Sequence, residues 1–300
     1  AAAIKTLESF LNKRGINYAS HISSPALAEE SGSRLSPYLS FGCLSMRETF
    51  HTIQEKLIEL KPKKDIESKK WKKSLRRVLE RLHWHCHFIQ KLEDEPLLDR
   101  MALSPTMQTL LDNSSNNKTL LDAWKKGKTG YPMIDACMRY LNQHKWINFR
   151  MRAMLVSFAS YHLNLDWRVT SKWLARQFLD FEPGIHYPQI QMQSGTTGMN
   201  AIRIYSPEKQ GIDQDPDGIF IKKYVPELNE CPKEFIHNPS NIPPLLCFEN
   251  VELGVTYPNP IIDHKTAYKA AKDRVFSTRK KISQLEKHDL LKKHASRRTS

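Results

Sequence analysis

Residues 124–193 constrain the fold most, because three helical patterns of apolar residues follow one another there. The first pattern begins at Pro132, a residue that suits the first turn of a helix. The second runs from Met151 to His162, and the third begins at Thr170, a residue that can cap a helix. Because alternating strand patterns are nearly absent from the whole chain, we predict a mostly α fold built as a helical bundle.

One carboxylate in this segment lies in an unfavourable place. Asp180 falls near the C-terminal end of the third predicted helix, where the helix dipole disfavours negative charge. A carboxylate is stable there only if a cation or a hydrogen-bond donor contacts it. The pattern therefore predicts a partner for Asp180 elsewhere in the fold.

The chain is strongly basic, with a formal net charge of +14 over 300 residues and a pI near 9.5. Ten Lys or Arg residues stand between Lys61 and Arg81, and a second basic block runs from Arg279 to Arg298. This charge favours a polyanionic partner such as nucleic acid. No apolar run reaches about 18 residues and no secretory signal opens the chain. We therefore expect an intracellular, cytoplasmic protein, nuclear or organellar in a eukaryote, with no membrane partner.

Cysteine and histidine spacing argues against a compact metal site. The five cysteines are scattered without a CxxC pair, so we predict reduced thiols and no disulfide framework. His83 and His87 have the i, i+4 spacing of a metal pair, but the sequence nearby offers no third ligand, and we predict no metal. The favoured interpretation is a cleft lined by aromatic and His residues, where Trp84 suits stacking on a base.

Residues 31–50 carry two helix-start signals close together. Ser36 is followed by a proline, and Ser45 with Glu48 three residues later forms a capping box. With Arg34 nearby, such a place can bind phosphate through backbone N–H groups and hydroxyls. The same residues also suit ordinary helix caps, and the pattern alone leaves both interpretations open.

Four further helices are predicted from the spacing of apolar residues. The first spans residues 3–14, and a long basic helix spans residues 61–94. The stretch that begins at Ile219 fits a helix or a strand by period, and we favour a short helix that Pro226 limits. A last helix spans about residues 265–281.

Six blocks of sequence stand in a recognisable order: SRLSPYLSFGCLSMRE, WKKGKTGYPMIDACMRYL, WINFRMR, LDWR, QFLD and RIYSPEKQGIDQDPDGIFIKKYVPEL. Together they resemble the flavin-binding helical domain of the photolyase/cryptochrome family, from about Tyr18 to Leu228. The resemblance implies an FAD in a U-shaped conformation inside the bundle, with a hole leading to a basic surface. It implies an FAD-binding domain over residues 1–278 and a basic C-terminal tail over residues 279–300. The family's N-terminal antenna domain has no counterpart here.

The resemblance also assigns residues to the flavin. Arg152 and Asp180 match the family's ion pair beside the isoalloxazine ring, which would give Asp180 its partner. Arg150 and Glu182 fall at positions that line the flavin or the DNA. The remaining matches to FAD-binding positions are Tyr18 and, at the FAD phosphates, Ser33, Arg34, Leu35 and Ser36.

A second set of residues is implied to act on DNA. Trp84 matches the aromatic residue that packs against a flipped-out pyrimidine dimer, and basic residues of segment 61–81 would hold DNA phosphates and make binding salt-dependent. The implied DNA-binding residues are Lys69, Lys70, Lys72, Lys73, Arg77, Trp84, His85 and Phe149. The implied catalytic residues are Arg81, Trp84, Trp167 and His186.

The chain departs from the family at positions that tune the chemistry. Arg81 stands where the family has a dimer-contacting Glu, Phe149 where photolyases often have Asn, and His186 where an Asn faces flavin N5. An Arg or His near the dimer carbonyl can still donate a hydrogen bond to the dimer anion, as the Glu would. The changed pocket therefore leaves dimer repair as a hypothesis.

The family's three-Trp electron chain is incomplete in this sequence. Trp167 matches the middle member, the distal position falls near Ser114, and the flavin-proximal position falls around residues 190–192. Three other aromatic residues are candidates for another electron route: Trp124, Trp173 and Tyr187. A missing Trp relay impairs photoreduction of oxidised flavin rather than repair itself.

The favoured hypothesis is a light-dependent DNA photolyase, a carbon–carbon lyase that uses reduced FAD to split UV-induced pyrimidine dimers by electron transfer. Its expected partner is UV-damaged DNA, single- or double-stranded, and it is expected to act as a monomer. The alternative is a cryptochrome-like blue-light flavoprotein photoreceptor without repair activity, which signals through its flavin redox state and basic tail. A third hypothesis is a flavin-free, DNA-binding relative.

Overall fold

Helices joined by short connections make up this computed structural model, which describes residues 1–243 and 251–294. Within these residues, pairing of extended backbone is confined to two isolated bridges, Ser115–Leu165 and Leu253–Tyr257. The predicted mostly α fold is therefore confirmed. None of the helices in the described ranges is long and apolar enough to cross a membrane.

The helices are, in chain order, α1 (Ala2–Asn12), α2 (Tyr18–His21), α3 (Pro25–Ser31), α4 (Ser36–Ser40), α5 (Met46–Leu60), α6 (Ile66–Asp94), α7 (Thr109–Asp112), α8 (Lys118–Lys126), α9 (Pro132–His144), α10 (Phe149–Ser157), α11 (Trp167–Gln177), α12 (Pro183–Ser194), α13 (Pro207–Gln214), α14 (Ile219–Tyr224), α15 (His264–Arg279) and α16 (Gln284–His294). A π-helical turn, Phe158–His162, continues α10. Short 3₁₀ turns lie at Arg14–Asn17, Thr106–Gln108, Pro226–Leu228 and Pro239–Asn241.

Two apolar cores hold the bundle together. The larger one surrounds α9, α10 and α11, where Tyr140, Met154 and Trp167 are buried almost completely. The smaller one lies between α1, α5 and the first half of α6, around Phe10 and Leu75. Burying one such large side chain stabilises the fold by about 1.5–3 kcal/mol. The predicted apolar face of the first helix in segment 124–193 is confirmed, because α9 buries that face.

Most predicted helix starts are confirmed, and one needs correction. The Ser45 hydroxyl caps α5 by accepting from the Glu48 N–H at 3.4 Å. The predicted cap at Thr170 is wrong, because Asp166 caps α11 by accepting from the Arg168 N–H at 2.8 Å, and Thr170 lies buried inside the helix. The helix-start signal at Ser36 and Pro37 is confirmed, because α4 begins at Ser36 with the proline in its first turn.

The remaining predicted helices match the structure to within a few residues. Residues 3–14 correspond to α1, and the basic helix predicted over 61–94 is α6, which begins five residues later behind an Asp65 cap. The short helix α14 ends before Pro226, and the predicted last helix is α15.

Asp135 connects the start of α9 to the loop before it. Its carboxylate is fully buried and accepts hydrogen bonds from the Thr129 N–H and hydroxyl, both at 2.7 Å, and from the Gly130 N–H at 3.0 Å. The Tyr257 hydroxyl donates to the same carboxylate at 2.6 Å. Asp135 therefore joins segments far apart in the chain.

Replacing Asp135 by Ala is expected to lower the free energy of unfolding by about 3–5 kcal/mol, because four buried donors lose their acceptor. Chemical denaturation monitored by circular dichroism measures the change. Asp122, an exposed residue of α8, provides the control, and Asp122→Ala is expected to change stability by less than about 0.5 kcal/mol. Equal stability of the two variants would contradict this role.

Helices α6 and α12 approach each other closely at one glycine. A methyl group on Gly184 would lie 2.8 Å from the Ile89 Cα, a distance that carbon atoms do not tolerate. The absent side chain thus lets the two backbones meet. This contact fixes the basic helix α6 against the helix that carries His186.

The C-terminal helix α16 packs back onto the loop after α6. The Glu286 carboxylate accepts from the Ser104 and Thr106 hydroxyls, and Glu95 lies 3.3 Å from His294 and 3.5 Å from Lys293. Residues 284–294 of the predicted tail thus form a helix. The division of the chain at residue 278 stays a prediction. Residues 295–300 of that tail lie outside the described residues. So does Cys247, one of the five cysteines predicted to be reduced thiols.

Candidate functional site

A cavity opens between α10, α12 and the connection that precedes α12. Its walls enclose about 510 Å³ of space, including its open mouth. The lining residues are Phe149, Arg152, Ala153, Val156, Phe178, Asp180, Phe181, Glu182, Ile185, His186, Gln189, Ile190 and Gln193.

An ion pair between Arg152 and Asp180 lies in the wall of this cavity. Arg152 Nη2 lies 2.8 Å from Asp180 Oδ2, so the pair expected from the resemblance is present. Arg152 Nε donates to the Ile147 carbonyl at 2.8 Å, and the guanidinium carbon lies 4.1 Å from the centre of the Phe178 ring. Contacts on three sides therefore fix the orientation of Arg152.

The Asp180 carboxyl is held in its ionised form. Burial acts to raise its pKa, but the Arg152 guanidinium and the Ser36 hydroxyl outweigh burial, and the pKa lies below its usual range. Only 4 % of the Asp180 side chain is exposed, and its Oδ1 atom has no partner among the described residues. A ligand in the cavity therefore meets a buried carboxylate with a free acceptor oxygen.

His186 lines the same cavity as a neutral imidazole. Its Nε2 lies 3.0 Å from the Ser171 carbonyl, and the Phe178 and Phe181 rings face it edge-on. Burial, with a smaller contribution from the Arg152 charge, lowers the pKa of His186 to about 4. Because the proton on Nε2 is donated to Ser171, Nδ1 carries the lone pair. His186 thus offers the cavity a hydrogen-bond acceptor.

The depressed pKa of His186 makes stability pH-dependent. The unfolded chain takes up a proton near pH 6.5 while the folded protein resists until about pH 4. This stability is fully present above pH 6.5 and is lost as the pH falls toward 4, by roughly 3 kcal/mol. His186→Gln cannot titrate, so its unfolding free energy is expected to fall less over this range. Burial also lowers the pKa of His162 to about 3, so part of the pH dependence of stability is expected to remain in His186→Gln. If the unfolding free energies of the wild type and the variant, measured by urea denaturation, fell in parallel with pH, His186 would not be the titrating group.

The loop assigned to the FAD phosphates lies close to the ion pair. Ser36 begins α4 and its hydroxyl helps to lower the pKa of Asp180. Arg34 has a left-handed backbone, with φ of 56°, and its guanidinium carbon lies 4.1 Å from the centre of the Trp146 ring. Leu35 is buried in the smaller core, and Ser33 is half-buried. The structure thus brings the loop and the ion pair together.

Tyr18, Arg150 and Glu182 occupy three different environments. Tyr18 is buried in the smaller core, edge-on to Phe10, and is not among the residues that line the cavity. Arg150 is half-buried, and its Nε atom has no partner within the described ranges. Glu182 lines the cavity and caps α12 by accepting from the Gly184 N–H at 3.4 Å.

Aromatic and basic side chains surround the mouth of the cavity. Phe149 is 41 % exposed, and the Arg81 guanidinium carbon lies 5.6 Å from the centre of its ring. Trp84, one turn further along α6, is 44 % exposed and stacks on Phe88. Burial lowers the pKa of the neighbouring His85, although the Glu182 charge opposes this shift. Helix α6 thus carries an exposed aromatic side chain three residues after Arg81, which contacts the cavity residue Phe149.

The basic residues predicted to contact DNA follow one another on α6. Lys69, Lys70, Lys73 and Arg77 are exposed, while Lys72 is half-buried and donates to the Lys63 carbonyl at 2.6 Å. Arg77 also pairs with Glu80 at 2.9 Å. The opposite side of the helix faces the smaller core, so α6 presents a cationic face to solvent.

The aromatic residues of the predicted electron routes occupy separate places. Trp167 is 1 % exposed and lines a second cavity together with Ser114, the residue at the distal Trp position. Ile190, at the proximal position, lines the main cavity. Trp124 and Trp173 contact each other with ring centres 5.4 Å apart, and Tyr187 contacts His186 with ring centres 5.1 Å apart.

The sequence-based reasoning missed several residues of the cavity wall. Phe178 and Phe181 flank Asp180, and Ile185, Gln189 and Gln193 lie on α12. A usable signal was present, because Gln189 and Gln193 follow His186 at intervals of three and seven residues, which places them on one helix face.

Comparison with known protein families shows which family this chain belongs to. Residues 78–277 match the family model described as the FAD binding domain of DNA photolyase, which is two thirds of the chain. The chain belongs to this photolyase family. FAD is the cofactor that the family assignment supports.

The relatives of this chain include proteins named photo-lyase and proteins named cryptochrome. A deoxyribodipyrimidine photo-lyase of Alkalihalophilus pseudofirmus is 30% identical over 275 residues, 90% of this chain and 53% of that protein. Cryptochrome-2 of Arabidopsis thaliana is 32% identical over 283 residues, 92% of this chain and 45% of that protein. The crystal structure of a bacterial class III photolyase from Agrobacterium tumefaciens superposes with a TM-score of 0.80 at 28% identity, covering 93% of this chain and 56% of that one. The chain therefore spans about half the length of these relatives.

The residues of the cavity fit the isoalloxazine ring of FAD. Ala153, Val156 and Ile190 supply apolar surface, as a flat aromatic ring requires. Asp180 Oδ1 and Gln189 Oε1 are buried acceptors without partners among the described residues. Buried acceptors of this kind need a hydrogen-bond donor, and the N–H group at the edge of a flavin ring supplies one.

Proposed function

We propose that this chain is a light-dependent DNA photolyase that uses reduced FAD to split UV-induced pyrimidine dimers by electron transfer. The observation that carries the proposal is the contact of Arg81 with the cavity residue Phe149, on a basic helix that also carries the exposed Trp84 three residues later. The Arg152–Asp180 ion pair lies in the wall of the same cavity. In this proposal the protein acts inside the cell, as a monomer, on UV-damaged DNA.

Bound FAD, when reduced and excited by light, supplies an electron to the substrate. The chain contributes fixed charge and hydrogen bonds around it. Arg152, held by Asp180 and the Ile147 carbonyl, provides a positive charge that does not move. His186 stays neutral above about pH 4 and offers Nδ1 as an acceptor. The packed aromatic rings around His186 exclude water from this side of the cavity.

The exposed residues at the mouth would receive the dimer and its strand. Trp84 offers a ring face for stacking on a flipped-out pyrimidine dimer. Arg81 can donate a hydrogen bond to a dimer carbonyl, in place of the Glu that the family carries there. The cations of α6 would bind the DNA phosphates, so affinity is expected to fall with added salt.

A repair assay on the purified chain tests the proposal. An absorption spectrum first establishes whether flavin is present, and a colourless protein without releasable FAD would support the flavin-free, DNA-binding hypothesis instead. The flavin is then reduced and the protein is illuminated with dimer-containing single- and double-stranded DNA. We expect light-dependent loss of dimers. No loss under any redox state of the flavin would end the photolyase proposal.

A cryptochrome-like photoreceptor is the second candidate function. It is supported by the named cryptochrome relative and by helix α16, which contacts the loop after α6 through Glu286, Lys293 and His294. A receptor that signals through its C-terminal segment would release this helix in light. Limited proteolysis after Arg279 in darkness and in blue light tests the idea, and a light-dependent change without dimer repair would favour it.

A further inference from the structure

Arg14 holds the loop that precedes α4. It lies in the 3₁₀ turn after α1, where its Nη1 atom donates to the Gly32 carbonyl and its Nη2 atom donates to the Ser33 carbonyl at 2.6 Å. Nη2 also lies 3.2 Å from the Thr6 carbonyl, and the guanidinium carbon is 5.5 Å from the centre of the Phe10 ring. Arg14 thus joins α1 to two successive peptide groups of the loop.

These hydrogen bonds decide where the loop N–H groups point. In a trans peptide the C=O and N–H vectors are antiparallel. Because the Gly32 and Ser33 carbonyls face Arg14, the N–H groups of Ser33 and Arg34 point away from it. These two N–H groups and that of Leu35 have no acceptor among the described residues. The loop therefore presents successive free donors on the side opposite Arg14.

The backbone of the loop has the form of an anion-binding nest. Arg34 is left-handed, with φ of 56°, and Leu35 is right-handed, with φ of −88° and ψ of −20°. Successive left- and right-handed residues turn their N–H groups toward a common point. A left-handed conformation costs a residue other than glycine about 1 kcal/mol, so neighbouring contacts must hold it in place. Arg14 supplies such contacts directly before it.

The charges around the loop also favour an anion. Burial and the nearby Arg34 charge both lower the pKa of Arg14, so the two guanidiniums repel each other across the loop. Arg34 Nη1 is buried without a partner in the described part of the chain. A diphosphate on the free N–H side would offset the repulsion and give this nitrogen an acceptor.

We propose that Arg14 is a positioning residue for the diphosphate of FAD, acting through the loop from Ser33 to Leu35. It binds the Gly32 and Ser33 carbonyls and so holds the N–H groups toward the anion. The inference rests on the proposed function, because the resemblance assigns this loop to the FAD phosphates. Arg14 itself lies outside the residues that match the family model.

Binding of two flavins separates positioning from general stability. Titrations of flavin-free protein with FAD and with riboflavin, which has the same ring but no diphosphate, are followed by flavin fluorescence for the wild type and Arg14→Met. We expect Arg14→Met to weaken FAD binding on the order of tenfold to a hundredfold while riboflavin binding is unchanged. Arg14→Lys keeps the charge and part of the donor set, so it is expected to recover part of the affinity.

A second arginine provides the matched control. Arg274 is also half-buried and donates to one backbone carbonyl, that of Tyr161 at 3.1 Å. Arg274→Met is expected to leave FAD affinity unchanged. Unchanged FAD affinity in Arg14→Met, or an equal loss for FAD and riboflavin, would overturn the inference. If Arg14→Met does not fold, the same comparison is made with Arg14→Lys. A wild-type chain that binds no FAD would instead refute the proposed function.

Discussion

Replacement of Asp180 by Asn is expected to weaken FAD binding on the order of a hundredfold and to destabilise the folded protein by about 3 kcal/mol. The substitution keeps the shape of the side chain but removes the charge that faces Arg152 at 2.8 Å. Arg152 then keeps a positive charge in the cavity wall with no carboxylate beside it. Removing one partner of a buried ion pair costs more than the pair contributes, because the remaining charge has lost its solvation.

Flavin titration and urea denaturation of the variant measure these two effects. Glu227→Gln serves as the control, because Arg139 and Glu227 form another partly buried pair, with a distance of 2.7 Å, away from the cavity. We expect Glu227→Gln to retain FAD affinity. An Asp180→Asn protein that binds FAD as tightly as the control would show that the ion pair is not part of the flavin site.

Trp84→Ala is expected to lower the affinity for dimer-containing DNA about tenfold or more, with no change in flavin content. Stacking of a base on an aromatic side chain contributes about 1–3 kcal/mol, and Trp84 is an exposed aromatic residue of α6, three residues after Arg81. Since the side chain is 44 % exposed, stability is expected to change by less than about 1 kcal/mol.

Fluorescence anisotropy with damaged and undamaged oligonucleotides measures the effect. Ile66→Ala removes another exposed apolar side chain from the first turn of the same helix and is expected to bind DNA normally. An equal loss for damaged and undamaged DNA would assign Trp84 to general strand binding. Full affinity for damaged DNA would remove Trp84 from the substrate site altogether.

Local patterns were sufficient to predict many features of the fold. The apolar spacing of α9, its Pro132 start and the Ser45 cap depend on residues within a few positions of one another, and these predictions were confirmed. The start of α11 was misjudged because Asp166 and Thr170 are both good caps, and only the packed structure shows that Thr170 is buried. Where two local signals compete, burial decides between them.

The candidate site depends on contacts between distant segments, which spacing alone does not reveal. Asp180 was predicted to need a partner, but that partner was identified as Arg152 only through the family resemblance. Arg14 carries no pattern of its own, since its acceptors lie 18 and 19 residues away. The wall residues Phe178 and Gln189 become site residues only when α10 and α12 meet.

The contact between Gly184 and Ile89 sets a distance that matters for electron transfer. It fixes the spacing between the helix that carries Trp84 and the helix that carries His186, and hence between a substrate at the mouth and a ring in the cavity. Electron tunnelling slows steeply as donor and acceptor separate. Even the methyl group of an alanine at position 184 would push the two helices apart and so lower the rate of electron transfer. In the proposed enzyme, the yield of repair per absorbed photon is therefore expected to depend on this glycine.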